Sequence, residues 1–232
     1  MENKIDYDTV YKEALIRNSK EVRKDILNND RGMEIKISNY SEKYNIPKKF
    51  LIHQILKDPL FANQFAKDPA KQSIHQKTAG KYIESINCVE DFEQLPASGE
   101  NAAYICRDGQ LHIGSKPSGD KVKSIDFHWF FDGKEYYAAH KYTKDEGGAQ
   151  DNQYNDLVEF LINAAKSNYE NIYFLAIGDG AYYQRSTNDN GVSYKNRIDY
   201  MNQTYSNEHA IAITTNELED YLINNSSFRL FE

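Results

Sequence analysis

The dipeptide Asp132-Gly133 constrains this chain more than any other feature. It separates two runs rich in β-branched and aromatic residues, 123–131 and 134–143. Asp-Gly supplies the positive φ angles of a two-residue turn whose twist matches that of paired antiparallel strands. With that turn, Phe131 lies opposite Lys134, and counting outward puts Asp126 opposite Ala139 and Ser124 opposite Lys141. Opposed residues point to the same side of a sheet. Asp126, His128, Ala139 and Lys141 are therefore expected on one face, and Ile125, Phe127, Trp129, Ala138 and His140 on the other.

An acid and a base on one face, in strands that otherwise look like core, invite two readings. One is a site, because charged residues are seldom buried without a purpose. The other is an ion pair on an exposed sheet face. The run that follows, residues 143–156, packs acids and amides around Gly147-Gly148 and leads into a helix. Capping by Asp151 or Asn152 accounts for one or two of these residues and leaves the rest over. His128 either tunes the same face or is a hydrogen-bonded core histidine. The six histidines show no zinc-ligand spacing.

The remaining chain reads as helices followed by a mixed sheet. Apolar spacing predicts helices over residues 7–27, 38–44 and 47–56. Asp58-Pro59 and Asp68-Pro69 each fit a cap followed by proline in the first turn, opening helices over 60–66 and 70–86. After Pro96 the pattern turns to strands: 102–106 and 111–113 around Asp108-Gly109, then the Asp132-Gly133 hairpin, a helix over 151–165, strands over 172–177 and 210–214, and a last helix over 216–223. The expected fold class is α/β (α+β), a mixed central β-sheet flanked by helices. Residues 1–95 form the helical N-terminal region and 96–232 the sheet-bearing core, packed as one globular unit.

Nothing in the sequence resembles the apolar run of about 18 residues that crosses a membrane. Cys88 and Cys106 form neither a disulfide framework nor a metal motif, so a cytoplasmic location is expected. The formal net charge of −7 argues mildly against a nucleic-acid partner. Binding follows the local field, however, and a bound divalent cation offsets acidic charge at a site.

Three stretches together resemble a known family. Ser124-Ile125-Asp126-Phe127, Ala139-His140-Lys141 and Gly147-Gly148-Ala149-Gln150-Asp151-Asn152-Gln153 are similar to the core of PD-(D/E)xK nucleases. With the strand Tyr173-Phe174-Leu175-Ala176-Ile177 and the upstream segment 67–77, the chain resembles a type II restriction endonuclease over residues 50–215. The Gly-Gly-Ala-Gln-Asp-Asn-Gln run is the most specific element. The resemblance implies hydrolysis of DNA phosphodiester bonds with Mg²⁺, Asp126 as metal ligand, Lys141 as catalytic lysine, and the His140 carbonyl on the metal.

The chain departs from that pattern at Ala139, where the family carries its second acid. Glu146, Gln150 and Asp151 are candidate replacements, Gln150 and Asp151 being favoured because a helix N-terminus aims its first side chains back at the strand. Glu84, on the helix before the core, is a further metal-ligand candidate or a solvated helix position. Gln184, Arg185, Asn188, Asn190, Lys195, Asn196 and Arg197 are expected to contact double-stranded DNA, or else to belong to a long surface loop. The resulting expectation is a homodimer cutting a short palindromic site within a restriction-modification system. The alternatives are a repair or nicking nuclease of the same fold and a catalytically silent DNA-binding protein.

Overall fold

The computed structural model describes residues 4–118, 122–144 and 148–226 of the 232-residue chain. These residues form two compact units, one comprising Asp6–His75 and the other running from Gln76 onward together with Lys4 and Ile5.

The first unit is helical: α1 (Tyr7–Leu27), α2 (Arg31–Tyr44), α3 (Lys48–Lys57), α4 (Pro59–Asn63) and a 3₁₀ turn, Ala70–Gln72. Its helix starts are chemically marked. The carboxylates of Asp6, Asp30 and Asp58 accept from the main-chain N–H groups of Thr9, Met33 and Leu60, satisfying donors that a helix leaves open. Asp30 thus starts α2 well before Ser38, where apolar spacing alone begins it. Val22, Met33, Ile37, Leu51, Ile55, Ala62 and Phe65 form the core of this unit.

The second unit carries three sheets. Its chain order is α5 (Ile74–Glu84, which begins at the division), β1 (Glu90–Gln94), β2 (Ala103–Ile105), β3 (Leu111–Ile113), β4 (Lys123–Ile125), β5 (Phe127–Phe131), β6 (Lys134–Tyr142), α6 (Gly148–Ala164), β7 (Ile172–Asp179), α7 (Ala181–Gln184), β8 (Thr187–Asp189), β9 (Val192–Tyr194), α8 (Arg197–Tyr205), β10 (Ala210–Ile213) and α9 (Thr215–Asn224). The main sheet has the order β1-β5-β6-β7-β10. Its first three strands are antiparallel, and β6, β7 and β10 are parallel. The β6–α6–β7 crossover supplies the long connection that parallel neighbours need. A three-stranded sheet, β3-β2-β4, and a separate ribbon, β8-β9, complete the set. A mixed sheet flanked by helices is the architecture expected.

The hairpin register is the one the turn dictates. Asp132 and Gly133 both have positive φ, 53° and 69°, and Phe131 pairs with Lys134, His128 with Tyr137 and Phe127 with Ala138. Tyr137, Ala139, Phe174, Ala176 and Ala212 face α6, whose Leu157, Phe160, Leu161 and Ala164 cover them. On the other face Trp129 stacks on Tyr136 with centroids 5.5 Å apart. Gly80 of α5 lies so close to Phe127 that a Cβ there would stand 3.1 Å from its ring.

Besides the start of α2, and the helix expected over 70–86, which is a 3₁₀ turn followed by α5, two features differ from the sequence expectation. The run 123–131 is not one strand, because it breaks at Asp126. β4 leaves the hairpin and pairs with β2, so Ser124 lies opposite Tyr104 and not opposite Lys141. The polar segment 184–207 is also more ordered than its composition suggests, holding the β8–β9 ribbon and α8. The apolar positions that bury α8, Ile198 and Met201, are too few among Asn and Tyr to mark it by period.

Candidate active site

Asp126 sits where the chain passes from the three-stranded sheet into the five-stranded one. Its main chain is held on both sides: its N–H donates to the Ala138 carbonyl at 2.8 Å, and its own carbonyl accepts from Leu95 N–H at 2.9 Å. The side chain is held equally closely. Oδ2 accepts from the main-chain N–H of His140 at 2.7 Å, and Oδ1 accepts from Nε2 of Gln76 at 2.8 Å. A strand N–H lies in the plane of its sheet, so the carboxylate that takes the His140 N–H occupies a ladder position beside β6. Burial pushes the Asp126 carboxyl above the usual carboxylate range, while the His140 N–H and the Lys141 charge pull it back in part.

Lys141 follows His140 on β6 and is half-buried. It lines a cavity of about 290 Å³ shared with Lys116, Lys123, Ser124, Ala139 and Asp156. Lys123 is neutralised there: Nζ lies 2.9 Å from Asp156 Oδ1 and 2.5 Å from Glu159 Oε2. Burial lowers the Lys123 ammonium, and the two carboxylates more than reverse this, so its pKa is raised. The side chain opposite the Asp126 region is the Ala139 methyl, which lines the cavity.

His140 faces the other way. Its Nε2 lies 3.1 Å from Asp179 Oδ2, and both residues are buried. Asp179 Oδ1 in turn accepts from the Thr215 N–H at 2.9 Å and the Thr215 hydroxyl at 3.1 Å. This network joins β6, β7 and the start of α9 directly behind the amide that holds Asp126. Gly180, next in sequence, has φ of 100°, and a Cβ there would stand 2.3 Å from the Thr143 carbonyl oxygen. His128 is committed to Glu135, 2.9 Å away, whose Oε1 also accepts from the Tyr137 hydroxyl.

The replacement acids are distributed as follows. Glu146 lies outside the described residues, and Gln150 lies in the first turn of α6, where only the backbone is described. Asp151 is exposed, and its Oδ1 accepts from the Tyr182 hydroxyl at 2.7 Å. Glu84 ends α5 exposed to solvent. The residue of α5 that reaches Asp126 is Gln76. Its sequence signal was a glutamine on the helical stripe Gln76-Gly80-Ile83, whose other members are fully buried.

Among the described residues, no group of three His, Cys, Asp or Glu side chains could hold a metal ion. Asp126 offers an oxygen donor of the kind a hard cation takes, whose charged form burial disfavours and a cation would stabilise.

The segment expected to contact DNA divides in two. Gln184, Arg185, Asn188, Asn190 and Lys195 are exposed. Asn196 caps α8 by accepting from Asp199 N–H at 2.8 Å. Arg197 lies over the Tyr182 ring at 3.9 Å and donates to the Tyr182 carbonyl at 2.8 Å. No helix among the described residues is long and apolar enough to cross a membrane. Comparison with family models, curated proteins and solved structures finds no match to this chain.

Proposed function

We propose that the chain is a Mg²⁺-dependent endonuclease acting on double-stranded DNA, with Asp126 and Lys141 at its centre. The observation that carries the reading is the adjacency of a half-buried carboxylate and a lysine-lined cavity. The Asp126 carboxylate is fixed by the amide of the residue before Lys141, and Lys141 opens onto a cavity of about 290 Å³. The topology supports it too: an antiparallel hairpin whose second strand leads through a helix into a parallel strand.

Asp126 and the His140 carbonyl would hold the cation, with Gln150 or the acids of its flanking turn completing the set. When bound, Mg²⁺ would activate water and neutralise charge on the phosphoryl group. Lys141 orients the attacking water and stabilises charge that develops on the phosphate. Gln76 and the His140 amide hold the carboxylate so that no reorganisation is needed during the reaction. Gln184, Arg185, Asn188, Asn190 and Lys195 approach the DNA, and a homodimer would match a palindromic site.

A second reading has its own observation. Ala139 places a methyl where the family has an acid, which is what a silent DNA-binding protein of this fold would carry. Incubation of supercoiled plasmid with the full chain and Mg²⁺ separates these readings. Discrete fragments support the restriction enzyme, and a smear or nicked circle supports a repair or nicking nuclease. Intact plasmid with a retarded band supports the silent binder. Intact plasmid without retardation rejects all three.

A further inference from the structure

We propose that the β8–β9 ribbon enters the major groove of duplex DNA and reads base edges with its outward face, chiefly through Asn188 and Ser193. The proposal rests on the DNA-directed reading above and adds the element, the face and the groove.

The ribbon is two-sided in a way that a disordered loop would not be. Asn188 pairs with Ser193, and both are exposed. Continuing the alternation outward, Ser186 and Lys195 are exposed as well. Of the residues between them, Thr187, Asp189 and Tyr194 are half-buried, and Val192, next to the tip, is exposed. Tyr194 meets the Tyr200 ring edge-on at 4.9 Å, and Asp189 Oδ2 accepts from the Tyr200 hydroxyl at 3.3 Å. One face is therefore anchored on α8 through Asp189 and Tyr194, and the face of Asn188 and Ser193 is offered to solvent. The tip is a tight turn at Asn190-Gly191, with φ of 49° and 82°, and beside it Val192 stands 52% exposed.

The chemistry of the outward face suits DNA. It has no carboxylate at Ser186, Asn188, Ser193 or Lys195, although the whole chain is acidic. Asn presents the acceptor and donor that pair bidentately with adenine, Ser serves either role, and Lys meets guanine acceptors or phosphate. The major groove admits a two-stranded ribbon. The support beneath is rigid, with Asn196 capping α8 and Arg197 packed over Tyr182, and a reading element needs that rigidity.

The test is selection of bound sequences from a pool of random duplex DNA, using the full chain with Ca²⁺ in place of Mg²⁺. The wild type is expected to enrich a short motif. Asn188→Ala is expected to lose the preference at an adenine of that motif and to bind the selected duplex about 10- to 100-fold more weakly, the scale of one bidentate contact. Asn188→Ser, which keeps a small polar side chain on an exposed strand, gives the same loss of preference if the alanine variant folds poorly. Should Asn188 and Ser193 variants fold and enrich the wild-type motif with unchanged affinity, the ribbon does not read DNA, while the DNA-directed function stands. If the wild type enriches no duplex, that function fails and the ribbon proposal fails with it.

Discussion

The Asp126 carboxylate accepts a hydrogen bond from the main-chain N–H of His140 at 2.7 Å. A catalytic candidate is thereby tied to the backbone of β6, one residue from the lysine with which it is proposed to act. Its orientation depends on strand pairing and not on side-chain rotamers alone.

Lys141→Ala tests the proposed chemistry. Removing a charge aimed at the developing phosphate charge is expected to cost roughly a hundred- to a thousandfold in cleavage rate. DNA binding in a gel-shift assay should change little, and so should the thermal midpoint, because the side chain is half-buried and opens onto a cavity. Undiminished cutting by this variant rules out the assignment of Lys141.

Asp126 makes stability depend on pH with a defined sign. Burial raises its carboxyl above the ordinary aspartate value. A group of this kind takes up a proton on folding, so its effect on stability worsens as pH rises from that value through its folded pKa. Asp126→Asn removes the effect. In denaturant titrations with EDTA, the variant is expected to gain on the wild type as pH rises above the ordinary aspartate range and to lose that gain in acid. A difference that stays constant over the range, or reverses, contradicts the burial argument.

Asp179→Ala strips the partner from two buried groups at once, His140 Nε2 and the start of α9 at Thr215. Breaking a buried polar pair from one side is expected to destabilise by roughly 3–5 kcal/mol. Asp179→Asn should cost less, since an amide can still accept from Thr215. Urea unfolding of both variants measures this, and equal losses would mean that charge, not hydrogen bonding, dominates there.

Gly180→Ala sets a Cβ against the Thr143 carbonyl oxygen in a backbone conformation with φ of 100°. Strain of this kind costs roughly 1–3 kcal/mol, and each kcal/mol lowers the midpoint of a chain this size by about 2–4 °C. A midpoint unchanged in differential scanning calorimetry contradicts the close approach at this position.

Asn196→Ala distinguishes a cap from a reader. Loss of the bond to Asp199 N–H is expected to cost about 1 kcal/mol of stability, with the selected DNA motif unaltered. A changed motif with unchanged stability would assign Asn196 to the DNA and not to the helix.

The parts of the fold that were legible in the sequence are those decided locally. Asp132-Gly133 set the register of β5 and β6 because turn geometry is a property of neighbouring residues. The apolar run 172–177 announced a strand buried on both faces, which the structure extends to Asp179, and Tyr7–Leu27 announced a helix by its period. What escaped was decided by distant partners. The break at Asp126 exists because Ser124 finds Tyr104 across the second sheet. Gln76 meets Asp126 across a separation of 50 residues, and no local pattern encodes that meeting. Asp126 and Lys141 stood out because charge in core-like strands is unusual and because the segments that carry them resemble a known nuclease core.

The wiring of β6 also sets an order of events during folding. Its pairing with β5 needs only a two-residue turn, whereas its pairing with β7 must wait for α6 to form and cross. The bonds around the carboxylate come from residues 14 and 50 positions away, and His140 is braced by one 39 positions away. Long loops close slowly and against entropy. The local hairpin is therefore expected to assemble early and the arrangement around Asp126 late. On that order a partly folded chain would hold the two strands but not the poised carboxylate, and the chemistry proposed for this site would be confined to molecules that have finished folding.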